Sequence, residues 1–296
     1  MAAILNDFLE ATKKEGVVIN YAQVTRDGKL LDDWSRLAEK ARLHTYSVAK
    51  SFTSIGVGIA MDEGLIELDE KVCESFAEFL PEDPPENLTR LTVRHLLTMT
   101  SGLEGPLFFG DDQLRFELED FLSYYFRQPF PYKPGERFLY SNFNTYLLSC
   151  LIEKRSGQNL RDYLVPRLFA PLGIINPDWF SCPRGHCLAA NNLYLKIDDY
   201  TAFGSMILNE GRVGERQIVS SEYIRMATSN RLECGHEENG YGFQFWVNPD
   251  KKSAAARGKY GQFIMALPDK KAVISIMSLD NGEVFKLVWD HIAMKL

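Results

Sequence analysis

A serine followed three residues later by a lysine is the pattern in this chain that could most directly do chemistry. Ser47 and Lys50 lie where an extended segment is expected to become a helix, over Ser47–Glu63, with Gly64 as its stop. Residues i and i+3 share a helix face, so Lys50 can reach the Ser47 hydroxyl and act as its base. The backbone N–H of Ser47 would face a developing oxyanion. The spacing is expected about once by chance, and the alternative is an N-cap serine beside a solvated lysine.

Tyr140 and Asn142 form a second candidate pair. They follow the turn Pro134-Gly135 and a short extended piece, and they precede or begin a helix expected over Asn142–Lys154. An ammonium group such as that of Lys50 would lower the pKa of the tyrosine from its ordinary value of about 10. Asn142 could bind that ammonium and a substrate carbonyl at once. The alternative is a half-buried tyrosine with a capping asparagine.

Glycines near the C-terminus supply a third element. Antiparallel strands are expected over Ala254–Gly258, Gln262–Leu267 and Ala272–Ser278. Gly258 and Gly261 would let the backbone approach a ligand closely. A strand edge beside Ser47 would then provide a second oxyanion N–H, from a residue just after Gly258 such as Lys259.

In this order, these segments resemble the serine β-lactamase and penicillin-binding-protein superfamily. The branch concerned contains class C β-lactamases, D-alanyl-D-alanine peptidases, β-lactamase-like esterases and nylon-oligomer hydrolases. Ser47-Val48-Ala49-Lys50 resembles its nucleophile motif, and Tyr140-Ser141-Asn142 resembles its Tyr-x-Asn motif. Further stretches similar to the family are Leu91–Leu103, Leu168–Gly173, Asp198–Gly204 and Tyr241–Trp246.

The resemblance implies a hydrolase that works through an acyl-enzyme on Ser47. Lys50 and Tyr140 would together take the proton of Ser47 as it attacks an ester or amide carbonyl. The N–H groups of Ser47 and Lys259 would hold the oxyanion. The expected substrate-binding residues are Asn142, Arg257, Gly258 and Lys259. No cofactor or metal is expected.

One departure from the family pattern bears on the substrate. The third motif, Lys-Thr-Gly or His-x-Gly, corresponds here to Ala256-Arg257-Gly258, so its lysine is absent. In the family, that cation helps to hold the substrate carboxylate. Neighbouring strand residues face opposite sides, so Arg257 does not simply replace it. This favours an esterase or small-amide hydrolase; the alternatives are a β-lactamase or penicillin-binding D-alanyl-D-alanine peptidase, and a non-catalytic binding protein on the same fold.

The pattern of elements predicts a single α/β (α+β) domain, 1–296. An antiparallel sheet from both termini, flanked by helices, would form one part, about 1–64 plus 235–296, and an inserted all-helical subdomain the other, about 65–234. Expected elements include a helix over 2–14, strands at Gly16–Val24, Lys29–Asp33 and Tyr241–Val247, and a helix over Glu283–Lys295. The resemblance implies the same β-lactamase/transpeptidase-like arrangement. A cleft between the parts is the expected site.

Composition limits the partners. The net charge of −7 argues against nucleic-acid binding through a general basic surface. No run of about 20 apolar residues could span a membrane, and the N-terminus lacks the apolar region of a secretory signal, which predicts a cytoplasmic protein unless a signal has been removed. The expected partner is a small ester, amide or lactam; the oligomeric state is not predicted.

The remaining reactive residues are interpreted as structural. The five cysteines are expected to be free thiols: Cys73, Cys150, Cys182, Cys187 and Cys234. The group Cys182, His186 and Cys187, with Cys234 and His236, has zinc-ligand types but not the usual spacing, so a loop with partly buried thiols is favoured. His44, His95 and His186 are also taken as structural. Leu107–Phe109 could line an acyl pocket, whereas Phe121–Phe126 is expected to pack in the core.

Overall fold

A computed structural model describes residues 4–105, 107–109, 112–232, 240–280 and 283–296. Within these ranges the α-helices are α1 (Asn6–Lys14), α2 (Ala49–Asp62), α3 (Val72–Ser75), α4 (Glu86–Thr89), α5 (Val93–Leu97), α6 (Leu114–Glu117), α7 (Phe121–Phe126), α8 (Asn142–Ser156), α9 (Leu160–Leu164), α10 (Ile197–Leu208), α11 (Ser221–Thr228) and α12 (Val284–His291). The strands are β1 (Ile19–Arg26), β2 (Lys29–Ser35), β3 (Leu43–His44), β4 (Asp178–Trp179), β5 (Leu193–Leu195), β6 (Arg212–Val213), β7 (Arg216–Gln217), β8 (Trp246–Val247), β9 (Ala254–Gly258), β10 (Gln262–Leu267) and β11 (Ala272–Ser278).

A six-stranded antiparallel sheet is built from both ends of the chain, in the order β2-β1-β11-β10-β9-β8. Helices α1 and α12 cover one face, where apolar side chains such as Met265 and Ile274 meet Val288. Helix α10 covers the other face against β10 and β11. Because both faces are covered, every residue of β11 is buried. The predicted fold class, an antiparallel sheet from both termini flanked by helices, is confirmed.

Helix α2 runs through the middle of the protein and carries the chemistry-bearing turn at its start. All its side chains from Ala49 to Ala60 are buried, as in a helix surrounded by other elements. Its glycines permit this close packing: a Cβ on Gly58 would lie 2.5 Å from the ring of Tyr223, and one on Gly56 would lie 3.2 Å from Leu160. The helix start is therefore held on all sides.

Two predicted elements differ from the structure near the site. The α-helix begins at Ala49 because Tyr46–Val48 forms a preceding 3₁₀ turn. The strand predicted over Tyr241–Val247 is reduced to β8, Trp246–Val247, because Gln244 has a φ of +62° and breaks the extended course. The alternation of apolar residues does not reveal such a turn.

The middle of the chain is mainly helical, and it also contains the short strands β4, β5, β6 and β7. Strand β3, just before Ser47, pairs with β5 in a small three-stranded sheet. The predicted subdomain boundary at 234 and 235 lies outside the described residues. Among the described helices, none has both the length and the apolar character needed to cross a membrane.

Candidate active site

Ser47 lies on a tight turn between β3 and α2. Tyr46, immediately before it, has a φ of +48°, a conformation that bulky residues rarely adopt and that often marks functional turns. The turn orients Ser47 toward a cavity of about 1000 Å³. One helical turn further on, Lys50 places its Nζ 3.0 Å from Ser47 Oγ.

Lys50 is almost completely buried, with 1% of its surface exposed. Its Nζ lies 2.6 Å from Asn142 Oδ1 and 3.1 Å from the carbonyl oxygen of Ala190. The Asn142 Nδ2 donates to the carbonyl of Phe108 at 2.8 Å, which fixes the amide so that its oxygen faces Lys50. Besides Ser47, Lys50 therefore has two neighbouring oxygens that can only accept hydrogen bonds, Asn142 Oδ1 and the carbonyl oxygen of Ala190.

Burial lowers the pKa of Lys50 well below its ordinary value, and the positive charge of Arg115 lowers it further. A neutral amine has two N–H groups and one lone pair. The oxygens of Asn142 and Ala190 can take the two N–H groups, which leaves the lone pair for the hydroxyl of Ser47. In this state Lys50 can accept a proton from Ser47.

Tyr140 lies just before the N-cap of α8, Ser141, and its ring centroid is 4.8 Å from Lys50 Nζ. The ring stacks on Trp246 at 5.5 Å, and the hydroxyl is hydrogen-bonded to Ser47. Burial raises the pKa of Tyr140, and the bond to Ser47 offsets this only in part. The expectation that Lys50 would lower this pKa is wrong, because the loss of solvation on burial outweighs the interactions that would stabilise a phenolate.

The C-terminal end of β9 passes directly beside Ser47. A Cβ on Gly258 would lie 2.5 Å from the carbonyl oxygen of Thr45 and 3.2 Å from the backbone nitrogen of Ser47, so this approach requires glycine. Lys259 follows at once and also lines the cavity. The backbone N–H groups of Ser47 and Lys259 are thus the candidate oxyanion donors.

Ala256 and Arg257 lie on opposite faces of β9, as expected for neighbouring strand residues. Ala256 is buried among the core residues on the α10 side. The guanidinium of Arg257 lies 3.6 Å from the ring centroid of Phe285 in α12, and its Nη2 is 3.4 Å from Asn248 Oδ1. Arg257 still reaches the cavity wall, but from the other face of the sheet.

The cavity brings together six of the seven predicted site residues. They are Ser47, Tyr140, Asn142, Arg257, Gly258 and Lys259, and Lys50 lies behind them against Ser47 and Asn142. The prediction missed the carbonyl of Ala190 and the side chains of Arg115 and Trp246. A backbone carbonyl has no signature in the sequence, and Arg115 belongs to no motif; the aromatic Trp246 lay in a stretch that we noted only for its resemblance to the family.

His44 lines the cavity although the sequence suggested a purely structural role. Its Nε2 accepts a hydrogen bond from the backbone N–H of Asn192 at 2.8 Å, and its ring packs 4.0 Å from that of Tyr46. Burial lowers the pKa of His44 to about 4, and the charge of Arg115 contributes. His44 is therefore neutral at neutral pH, in agreement with its role as an acceptor at Nε2.

Aromatic residues complete the wall. Phe109, from the segment predicted to line an acyl pocket, contacts the cavity, as does Phe121, whereas Tyr125 and Phe126 are buried in the core as expected. Cys182 lines the cavity too, and its Sγ lies 3.3 Å from the hydroxyl of Tyr146.

The four described cysteines are free and buried. His186 contacts Glu153 through Nδ1 at 3.0 Å. Cys234 and His236, two of the possible zinc ligands, lie outside the described residues. Among the residues that are described, no three His, Cys, Asp or Glu side chains are grouped so that they could hold a metal ion.

Proteins of known sequence include relatives of this chain. An uncharacterised protein of Alkalihalophilus pseudofirmus is 25% identical over 251 residues, which are 77% of this chain and 66% of that protein. The chain thus spans less than two thirds of the length of such curated relatives.

Solved structures share the fold. A protein described as a putative 6-aminohexanoate-dimer hydrolase from Bacillus anthracis has a TM-score of 0.82 and 20% identity, over 97% of this chain and 80% of that one. EstCE1, described as a hydrolase with promiscuous acyltransferase activity, has a TM-score of 0.79 and 14% identity, over 98% and 97% of the two chains. At such low identities the likeness concerns the fold alone. A model of the beta-lactamase family matches residues 1–294, and the chain therefore belongs to the beta-lactamase family.

Proposed function

We propose that this protein is a serine hydrolase that cleaves an ester or a small amide through an acyl-enzyme on Ser47. The observation that carries the proposal is the position of Lys50: a buried amine of lowered pKa, 3.0 Å from Ser47 Oγ, with two carbonyl oxygens to take its N–H groups. A general base needs hydrogen-bond reach and a pKa suited to neutral pH. Membership of the beta-lactamase family supports the same chemistry.

In the acylation step, Ser47 Oγ attacks the carbonyl carbon and its proton passes to the lone pair of Lys50. The oxyanion that forms is held by the backbone N–H groups of Ser47 and Lys259, which Gly258 brings together. Asn142 holds the resulting ammonium through Oδ1, so the charge on Lys50 develops beside a fixed acceptor.

Tyr140 serves as the proton donor in this scheme. Because burial keeps its hydroxyl protonated, Tyr140 can give that proton to the leaving oxygen or nitrogen as the tetrahedral intermediate collapses. The ammonium of Lys50 then restores the proton to Tyr140. In deacylation, the neutral Lys50 accepts a proton from the attacking water, and Ser47 is released with the proton that Lys50 returns.

The substrate class follows from the cavity wall. Ala256 stands where the family has a lysine for the substrate carboxylate, so a β-lactam or a peptidoglycan stem would lack the contact that this lysine makes in the family. The aromatic side chains of Phe109, Phe121 and Trp246 offer an apolar surface for an acyl or alcohol group. A β-lactamase or penicillin-binding activity remains the second candidate because of the family.

Labelling with a fluorophosphonate tests the proposal. Intact-mass spectrometry should show one adduct on the wild type and none on Ser47→Ala. An adduct that persists in Ser47→Ala would refute the assignment of the nucleophile, and a folded wild type without any adduct would favour a binding protein. Turnover of p-nitrophenyl butyrate compared with that of nitrocefin then separates the two hydrolase candidates: nitrocefin hydrolysis without esterase activity would reverse their order.

A further inference from the structure

Among the described residues that line the cavity around Ser47, the charged side chains are all cationic, although the chain as a whole is acidic. Arg115, Arg257 and Lys259 line it, and its described lining residues include no aspartate or glutamate, whereas the net charge of the chain is −7. A concave wall with charges of one sign concentrates ligands of the opposite sign. The cavity is therefore suited to an anionic ligand.

Two of these cations, Arg257 and Lys259, lie at the C-terminal end of β9 and have aromatic contacts. Arg257 stacks on Phe285 from the face of the sheet that α12 covers. The ammonium of Lys259 lies 5.2 Å from the ring centroid of Tyr260. Both cations therefore line the cavity from the side of the sheet.

Arg115 comes from the other wall, on the short helix α6 of the mainly helical part. Its guanidinium lies 5.4 Å from the ring centroid of Phe108. No hydrogen bond or ion pair joins this guanidinium to any residue that the structure describes, and burial lowers the pKa of Arg115, which the charge of Asp112 offsets only in part. A partly desolvated guanidinium that has no hydrogen-bond partner among the described residues gains most from a carboxylate, which accepts two parallel N–H bonds.

Arg115 is also close to the reacting groups. It lines a small recess together with Asn142 and Ala190, the two partners of Lys50. The positive charge of Arg115 contributes to the lowered pKa of both Lys50 and His44. His44 is neutral and does not compete for an anion.

We propose that Arg115 binds a carboxylate of the substrate, so that the enzyme selects esters or amides that carry a carboxylate within reach of Ser47. The inference rests on the proposed acyl-enzyme function and adds its specificity. Recognition of the anion is then supplied by the helical wall, in place of the strand position that Ala256 occupies. A guanidinium presents its N–H donors as a planar fork, which matches the planar shape of a carboxylate.

Two matched pairs of esters test this selection. One pair differs in the acyl part, mono-p-nitrophenyl glutarate against p-nitrophenyl pentanoate, and the other in the leaving group, 4-butyryloxybenzoate against phenyl butyrate. We expect the wild type to prefer the anionic member of at least one pair in kcat/KM. Arg115→Met should reduce that preference by roughly 10- to 100-fold, the usual effect of losing a charged hydrogen-bond partner. Arg115→Lys should retain part of it.

The control is Arg216→Met, which removes the same charge from an exposed position on β7, outside the cavity lining. It should leave the ratio unchanged. If Arg115→Met leaves both ratios at their wild-type values, or if the wild type prefers neither anionic ester, Arg115 does not bind a substrate carboxylate.

Binding measured without turnover separates this inference from the proposed function. Glutarate should bind to Ser47→Ala, by calorimetry, and at least roughly 10-fold more weakly when Arg115→Met is added. If Ser47 is not labelled by a fluorophosphonate but glutarate binding depends on Arg115, the hydrolase proposal fails and the carboxylate site stands. If Ser47 is labelled and glutarate binding is the same in both variants, the carboxylate site fails.

Discussion

Replacing Gly258 with alanine should impair the chemistry of Ser47 without removing any functional group. The new Cβ would lie 2.5 Å from the carbonyl oxygen of Thr45, so the two backbones must separate by roughly 0.9 Å to reach an ordinary contact of 3.4 Å. The displacement falls between Ser47 and Lys259, the two candidate oxyanion donors. Losing one such donor costs about 10²- to 10³-fold in kcat, and the overpacking costs about 1–3 kcal/mol of stability.

The assay is kcat and KM for p-nitrophenyl butyrate, with urea unfolding to establish that the variant is folded. Gly105→Ala is the matched control, because a Cβ at Gly105 would meet none of the described residues within 4 Å and its backbone is outside the left-handed region. We expect Gly105→Ala to retain wild-type kcat and Gly258→Ala to lose it with a smaller change in KM. A folded Gly258→Ala variant with wild-type kcat would refute the placement of the oxyanion donors.

Lys50 and Tyr140 provide two further tests of the active site, and Gly204 provides a test of the packing of α10 on the sheet. Because the pKa of Lys50 is lowered in the folded protein, unfolding takes up a proton at any pH between that pKa and the ordinary lysine value. Over this pH range the free energy of unfolding of the wild type should rise relative to that of Lys50→Met by up to about 1.4 kcal/mol per pH unit. A difference in free energy of unfolding between the two proteins that is the same at pH 7, 8 and 9, measured by urea unfolding, would contradict a neutral Lys50. Tyr140→Phe should slow an alkyl ester much more than a p-nitrophenyl ester, because only the alkoxide needs a proton to leave; equal losses in kcat would exclude Tyr140 as the donor. Gly204→Ala should lower the free energy of unfolding by about 1–3 kcal/mol, because the new Cβ would lie 2.5 Å from Val273, between α10 and β11. The variant should still be labelled at Ser47 by the fluorophosphonate. An unchanged free energy of unfolding would show that α10 and β11 can accommodate the extra methyl group.

Much of the architecture could be predicted because its signals are local. The strands β9, β10 and β11 begin and end where their apolar runs and turn residues predict. Helix α8 begins at Asn142, as predicted, with Ser141 as its cap. Propensity and capping act over a few residues, and a single sequence contains that information.

The electrostatics of the site could not be predicted in the same way. From the sequence we expect Lys50 to be an ammonium that lowers the pKa of Tyr140, whereas burial lowers the pKa of Lys50 and raises that of Tyr140. Burial depends on the packing of α2, α8 and the segment around Ala190, which lie far apart in the chain. Arg115 was missed for a related reason: only the folded chain brings α6 to the cavity.

The most direct test of the mechanism is the charge of Lys50 beside Ser47. NMR titration of protein labelled with ¹³Cε-lysine, with the Lys50 signal identified by its loss in Lys50→Met, reports that charge directly. We expect Lys50 to titrate well below the exposed lysines and to be neutral while they are still charged. A Lys50 signal that titrates together with the exposed lysines would contradict the proposal that this residue is the base for Ser47.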